Sequence, residues 1–421
     1  MRFHSFCLLA AGLVLGGQVP AQAQATSTAT VFTGARIITG QDRAPLENAS
    51  LLVENGRVVR VGRARDVKPP KGATVVSLAG KTIIPAIIDT HTHASTDRDG
   101  LVTDLQRRAY WGVGAMLSLG TDKGDLPFQM RGTMVPDGAR FRTAGRGITS
   151  PEPGRSDVPY WVTTEEQARQ AVRDQAALKV DIIKIWVDDR DGKYQKLSPP
   201  LYTAVIDEAH KHGLKVTAHI FNLSDAKGLL RAGLDAFAHG IRDVDVDDEV
   251  IALFKARKHV VLVPNLPDRG VASDLSWLTG SLPAGDLAKL QAPATDRPQV
   301  QQAFALQARN LDRLNKAGVT IALGTDGNTP HAAHQELEDM VAAGMTPAQV
   351  IVAATRNSAA LLKIKDAGTL EPGMRADFVV LDANPLDAIT NTRRISATYL
   401  NGVAVNRAAL SARWSAPPAR P

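Results

Sequence analysis

The 421-residue chain has a single cysteine, Cys7, and it lies in the first ten residues. Beyond the amino-terminal segment no disulfide can form and no thiolate can bind a metal, so any metal ion must be held by nitrogen and oxygen. No basic block interleaves with aromatic residues. The formal charge of +6 is spread along the chain, which argues against a nucleic-acid partner. Low-complexity linkers and internal repeats are also lacking, apart from a rhythm of alternating strands and helices. With 44% hydrophobic and 22% charged residues, the composition is that of an ordinary globular protein able to bury a large core.

The first residues carry one basic side chain and then the apolar run Leu8 to Gly16, too short to span a bilayer comfortably. Ala21-Gln22-Ala23 follows as a small-x-small cleavage pattern, so segment 1–25 reads as a secretory signal peptide and the mature protein as periplasmic or secreted. Cys7 comes too early to be a lipid-modified residue, and no membrane anchor is expected.

From Thr30 to about Ile84, β-branched runs alternate with turn signals, and Asn55-Gly56 marks a hairpin because both residues tolerate positive φ. A similar texture returns at 368–381 and 395–405. The two ends together, 26–84 and 365–421, are expected to make one composite β-sandwich domain. Between them, 85–364 alternates apolar strands with helices. Strands are expected at Ile83-Ile84, 114–119, 141–144, 182–185, 216–219, 236–239, 260–263 and 321–323, an α/β pattern that suggests a (β/α)8 TIM barrel. Thr163 is a candidate cap for the helix running toward Leu178, and Gly213 can end the helix before it. The Pro-, Gly- and Asp-rich stretch 268–300 reads as a long excursion near strand seven.

His91-Thr92-His93 ends the apolar run Thr82 to Asp89. Residues i and i+2 of a strand share a face, so the two imidazoles lie side by side, spaced to grip one metal ion. Lys184, His219, His239 and Asp326 each fall near the end of another apolar run, before a loop signal. In a βα barrel those strand ends form one catalytic face, so residues distant in sequence can converge there. Trp186 and Phe221, two residues beyond Lys184 and His219, are candidate pocket walls. Arg146 is a candidate for a substrate carboxylate, and His331 and His334 are candidates for substrate contact.

On Ile88-Asp89-Thr90-His91-Thr92-His93, Ile182-Ile183-Lys184-Ile185, Thr217-Ala218-His219, Ala238-His239-Gly240 and Leu323-Gly324-Thr325-Asp326, the chain resembles the metal-dependent amidohydrolase superfamily of the imidazolonepropionase and prolidase kind. The tail at 354–360 and 373–377 is similar to that family's return into its β-sandwich. Ala86 departs from the glycine usual there, a change expected to affect the turn rather than the ligands.

The resemblance implies two divalent metal ions, zinc first among the candidates. His91, His93 and Asp326 would hold one, and His219 and His239 the other. Lys184 would be carboxylated and bridge both, and an unmodified ammonium between two cations would indeed be repelled strongly. The resemblance further implies a metal-bridging hydroxide as nucleophile, with Asp326 moving the proton. The expected activity is hydrolysis of a small-molecule amide or peptide-like C–N bond. A lactone, carbamate or cyclic-amide hydrolase and a non-catalytic metal-binding protein are the alternatives, and a homo-oligomer is left open.

Overall fold

The computed structural model describes residues 29–415, so segment 1–25, expected to be a signal peptide, lies with Cys7 outside the described residues. The chain opens with strands β1 (Ala29–Ile37), β2 (Leu46–Glu54), β3 (Arg57–Arg63), β4 (Thr74–Ser77) and β5 (Thr82–Pro85). Next come β6 (Ile87–Thr92), β7 (Val113–Ser118), β8 (Arg140–Thr143), β9 (Ile148–Thr149), β10 (Tyr160–Trp161), β11 (Ile183–Val187), β12 (Val216–Ile220), β13 (Ala236–Phe237), β14 (Val261–Leu262) and β15 (Thr320–Ile321). The last strands are β16 (Phe378–Leu381), β17 (Ile395–Leu400) and β18 (Val403–Ala404).

Strands from both ends of the chain share one sheet, in the order β18-β17-β16-β5-β1-β2-β3, with β4 paired to β1. Its β2–β3 hairpin turns at Asn55 (φ 50°) and Gly56 (φ 74°), the two positive values a type I′ turn requires. An aromatic trio fastens the first strand to the last ones. Phe378 stacks on Tyr399 at 4.6 Å, and Phe32 meets both edge-on at about 5 Å.

Parallel sheets fill the middle. One runs β10-β9-β11-β12-β13-β14-β15 and the other β6-β7-β8. Backbone bonds join them at both margins. Ala144 N–H donates to Ser118 O at 2.9 Å, where β8 leads into β9, and Thr90 N–H donates to Leu323 O at 3.0 Å, between β6 and the chain leaving β15. The pleat sorts side chains. Ile183, Ile185 and Val187 pack against helices Glu165–Ala177 and Pro199–Lys211, which leaves Lys184 and Trp186 for the opposite face.

The run Thr82 to Asp89, expected to feed a single first strand, is cut at Ala86. β5 pairs with β1 and β16 in the terminal sheet, whereas β6 pairs with β7. A continuous apolar run cannot reveal such a change of sheet, because both strands are buried. The Ala86 methyl fits because residue 114 is glycine: a Cβ at Gly114 would stand 2.8 Å from Ala86 Cβ. The helix cap also moves by one residue, from the expected Thr163 to Thr164. Its hydroxyl accepts from Gln167 N–H at 3.2 Å, and Gln167 reaches back to complete a capping box.

Candidate metal centre

His91 and His93 leave the end of β6, and the Nε2 of each lies 3.0 Å from Asp326 Oδ1. Asp326 adopts φ 54°, a left-handed conformation held by its N–H bonding to His91 O at 2.7 Å. The backbone therefore locks the aspartate to the first histidine. His239, two residues past β13, brings Nε2 to 3.6 Å from Asp326 Oδ2. One ligand atom each from His91, His239 and Asp326 lies within 4.8 Å of the others, a spacing that one metal ion can bridge. The His219 ring stands 4.4 Å from that of His239, centre to centre.

Lys184 completes the group from β11. Its Nζ is buried and has no hydrogen-bond partner. An orphaned amine among imidazoles and a carboxylate suits a side chain that gains ligand oxygens by carboxylation, so the donor set fits divalent ions. Two glycines make room for this strand. A Cβ at Gly120 would come within 2.7 Å of Lys184 Cγ, and one at Gly147 within 2.0 Å of the Trp186 ring. Trp186 thus forms a wall beside the lysine.

The electrostatics favour metal-binding protonation states. Burial, helped by the Lys184 charge, lowers His91 to about 4, and burial lowers His219 to about 3 despite Asp188. His239 is pushed well below the usual range by burial and then by His219. All three are neutral near pH 7, the state in which an imidazole can bind a metal. Burial also lowers Lys184, to about 7, making an uncharged amine available. For Asp326, burial acts upward, but His91, His93 and His239 outweigh it and hold the carboxyl far below its ordinary range.

Behind these residues stands a layer that sequence reasoning missed. Asp89 accepts from Arg108 Nη1 at 2.8 Å, Thr325 Oγ1 at 2.8 Å and the backbone N–H of His91 and Thr325, each at 3.2 Å. Arg108 Nη2 also donates to Gly327 O at 2.8 Å, so this buried pair fastens β6 to the segment carrying Asp326. Asn265 Oδ1 lies 3.0 Å from His91 Nδ1, and Thr121 Oγ1 lies 3.0 Å from His93 Nδ1. Asp188 Oδ2 lies 2.8 Å from His219 Nε2. Arg242, three residues past His239, is a largely buried cation that feels the charges of Asp326 and Asp188, and its Nε has no partner. Asp89 and Asp188 were visible as polar residues beside the ligand motifs. Nothing in the sequence marked Asn265 or Arg108.

Two expected substrate residues are corrected. Arg146 donates to Val158 O at 2.5 Å and to Pro159 O at 3.3 Å, and it lies 4.0 Å over the Tyr160 ring, so it fastens its own loop rather than awaiting a carboxylate. His334 is buried with both ring nitrogens engaged, Nδ1 at 3.1 Å from Thr392 Oγ1 and Nε2 at 2.9 Å from Trp111 O, and so belongs to the core. His331 is buried against Trp277 and lines a cleft of about 690 Å³ with Arg269, Glu336 and Arg393. None of the six expected ligands lines that cleft. Phe221 is 37% exposed beneath the Arg242 guanidinium.

Comparisons with known proteins define the class to which this fold belongs. The amidohydrolase family profile matches residues 163–405, and the chain belongs to that family and is a hydrolase. It is 25% identical to ochratoxinase of Aspergillus niger over 421 aligned residues, covering 86% of this chain and 82% of that one. It is 26% identical to imidazolonepropionase of Deinococcus radiodurans over 387 residues, covering 85% and 92%. Among solved structures, a Bifidobacterium longum protein provisionally assigned as a prolidase superposes with a TM-score of 0.74 at 26% identity, covering 92% of this chain and 99% of that one.

Proposed function

We propose that this protein hydrolyses an amide or peptide-like C–N bond with two divalent ions, zinc first, and that it acts after export to the periplasm or the medium. The observation that carries the reading is the convergence of His91, His239 and Asp326 on one point, with His93, His219 and the unpartnered Lys184 amine around them. On this reading the two parallel sheets are parts of one eight-stranded barrel, and the terminal sheet folds as a small β-sandwich beside it. His91, His93 and Asp326 would hold one ion and His219 and His239 the other, with a carboxylated Lys184 supplying oxygen ligands to both.

Bound divalent ions would supply an acidified water and polarise the scissile carbonyl. The chain's own part is to place and move protons. Asp326 is ionised at neutral pH, the state a general base needs, and it sets one oxygen on the His91–His93 pair and turns the other toward His239. A proton taken on that carboxylate can then be passed to the departing amine. Trp186 walls the site on the Lys184 side.

The test joins metal analysis of the purified protein, 13C NMR after exposure to labelled bicarbonate, and hydrolysis of a panel of N-acyl amino acids, dipeptides and simple amides. Two ions per chain, a labelled carbamate that is lost in Lys184→Ala, and amide turnover support the reading. One ion with no carbamate would sink the bridged centre. Metal uptake with no hydrolysis across the panel would remove the C–N assignment.

A further inference from the structure

We propose that Asp188 is the positioning residue of His219, braced by Arg190 and Glu152, so that the loop after β11 governs whether the second half of the metal centre is formed. This inference rests on the two-ion reading above.

Asp188 is the first residue beyond β11. Its Oδ2 meets His219 Nε2 and Arg190 Nη1, each at 2.8 Å, and its Oδ1 accepts the Arg190 backbone N–H at 2.9 Å. Arg190 Nε continues to Glu152 Oε1 at 3.2 Å, and the other oxygen of the buried Glu152 takes Arg155 at 2.8 Å. Four side chains from two separate segments therefore back a single imidazole. The turn that makes this possible is strained: Arg190 (φ 55°) and the next residue, Asp191 (φ 58°), both adopt left-handed conformations ordinarily left to glycine. That backbone folds the arginine back onto its own aspartate.

The orientation follows from donor and acceptor rules. An ionised carboxylate only accepts, so the His219 nitrogen facing Asp188 carries the hydrogen. Arg190 Nη1 also lies 3.3 Å from that nitrogen, but two donors cannot pair, and the shared aspartate explains their proximity. The lone pair of neutral His219 is thereby assigned to Nδ1. His91 and His93 are held the other way round, through Nδ1 by Asn265 and Thr121, which leaves Nε2 at Asp326. The two halves of the centre are thus oriented by different partners, and the Asp188 brace serves only the second. The contact works as a directional hydrogen bond behind a ligand, with 2.8 Å between the carboxylate oxygen and the ring nitrogen.

The test uses the full chain with Asp188→Ala, Asp188→Asn and Arg190→Met. The ring-nitrogen shifts of His219 in the metal-free protein, assigned by comparison with His219→Asn, report the tautomer. Zinc titration against a chelator reports the two affinities separately. The expected result is a fixed Nε2–H tautomer in the parent, lost in Asp188→Ala together with about 10- to 100-fold in affinity at the weaker-held ion alone. Asp188→Asn, which keeps an acceptor oxygen, recovers most of that loss, and Arg190→Met falls between. An Nδ1–H tautomer in the parent overturns the inference. So do equal losses at both ions in Asp188→Ala with no recovery in Asp188→Asn. Should the alanine variant fail to fold, the parent tautomer and the two milder variants decide the matter. A parent that takes up one zinc or none would defeat the two-ion reading, while the tautomer would still judge the brace.

Discussion

Replacing Arg108 by leucine isolates the buried pair behind the centre. Arg108 and Asp89 are each at most 1% exposed, with 2.8 Å between Nη1 and Oδ2. Removing one partner of such a pair leaves a charge without compensation, which costs about 3–5 kcal/mol. That is a large share of the roughly 5–15 kcal/mol holding a typical protein folded. Burial already raises the Asp89 carboxyl despite the opposing Arg108 charge, so without the arginine Asp89 escapes part of the cost by taking a proton. The sign follows from linkage. With the folded pKa above the unfolded one, the folded state binds more protons through that window, and stability falls as pH rises through it. Urea unfolding followed by circular dichroism should therefore show a larger gap between variant and parent at pH 8 than at pH 5. Adding Asp89→Asn removes the stranded charge but keeps an oxygen for Thr325 and the His91 N–H, and should recover most of the loss. An Arg108→Leu cost below about 1 kcal/mol at both pH values, or no recovery in the double variant, would refute the argument.

Asp326→Asn should lower kcat by about 10²- to 10⁴-fold, the usual worth of a general base, while metal analysis finds the ions largely retained; a variant with near-parental turnover would remove Asp326 from proton transfer. Gly114→Ala should cost about 1–3 kcal/mol by driving a methyl against Ala86, and Ala86→Gly in the same chain should restore the melting temperature; equal melting of the single and double variants would show that this contact is not the cause. His334 is lowered to about 3 by burial, so the folded state stays neutral while the unfolded chain takes up protons below about pH 6.5. Its contribution is lost as pH falls from 6.5 toward 3, by up to about 1.4 kcal/mol per unit, and His334→Gln should flatten that acid limb in unfolding curves.

Which parts of this molecule could be read in advance depends on the range of the physical rule involved. The strand pleat has a period of two, so His91 and His93 were bound to share a face, as were Lys184 and Trp186. Parallel strands with helical returns place their carboxyl ends together, which made the convergence of His219, His239 and Asp326 foreseeable from apolar runs alone. The Asn55-Gly56 turn was equally legible, because its two positive φ angles are a local demand. The break at Ala86 was not, since β5 and β6 are both buried throughout and an apolar run looks the same in either sheet.

Nearness in sequence also misled where the backbone reverses direction. His334 follows Asp326 by eight residues, yet its ring hydrogen bonds to Trp111 and Thr392. Arg146 is turned back onto its own loop, while Arg242, on a different loop, is held beside the ligands by the Ile220 carbonyl. The residues that orient the ligands come from loops with no periodicity. Asn265 (φ 46°) and Arg190 (φ 55°) hold left-handed conformations, which arginine does not announce and which asparagine tolerates without saying what its side chain will meet; their purpose emerges only when His91 and His219 stand in front of them. A metal centre is thus announced by its ligands, which regular strands position, and completed by residues whose meaning is purely spatial. For that reason the choice between ring nitrogens, on which ligand orientation depends, had to come from Asp188 and Asn265 rather than from the histidine motifs.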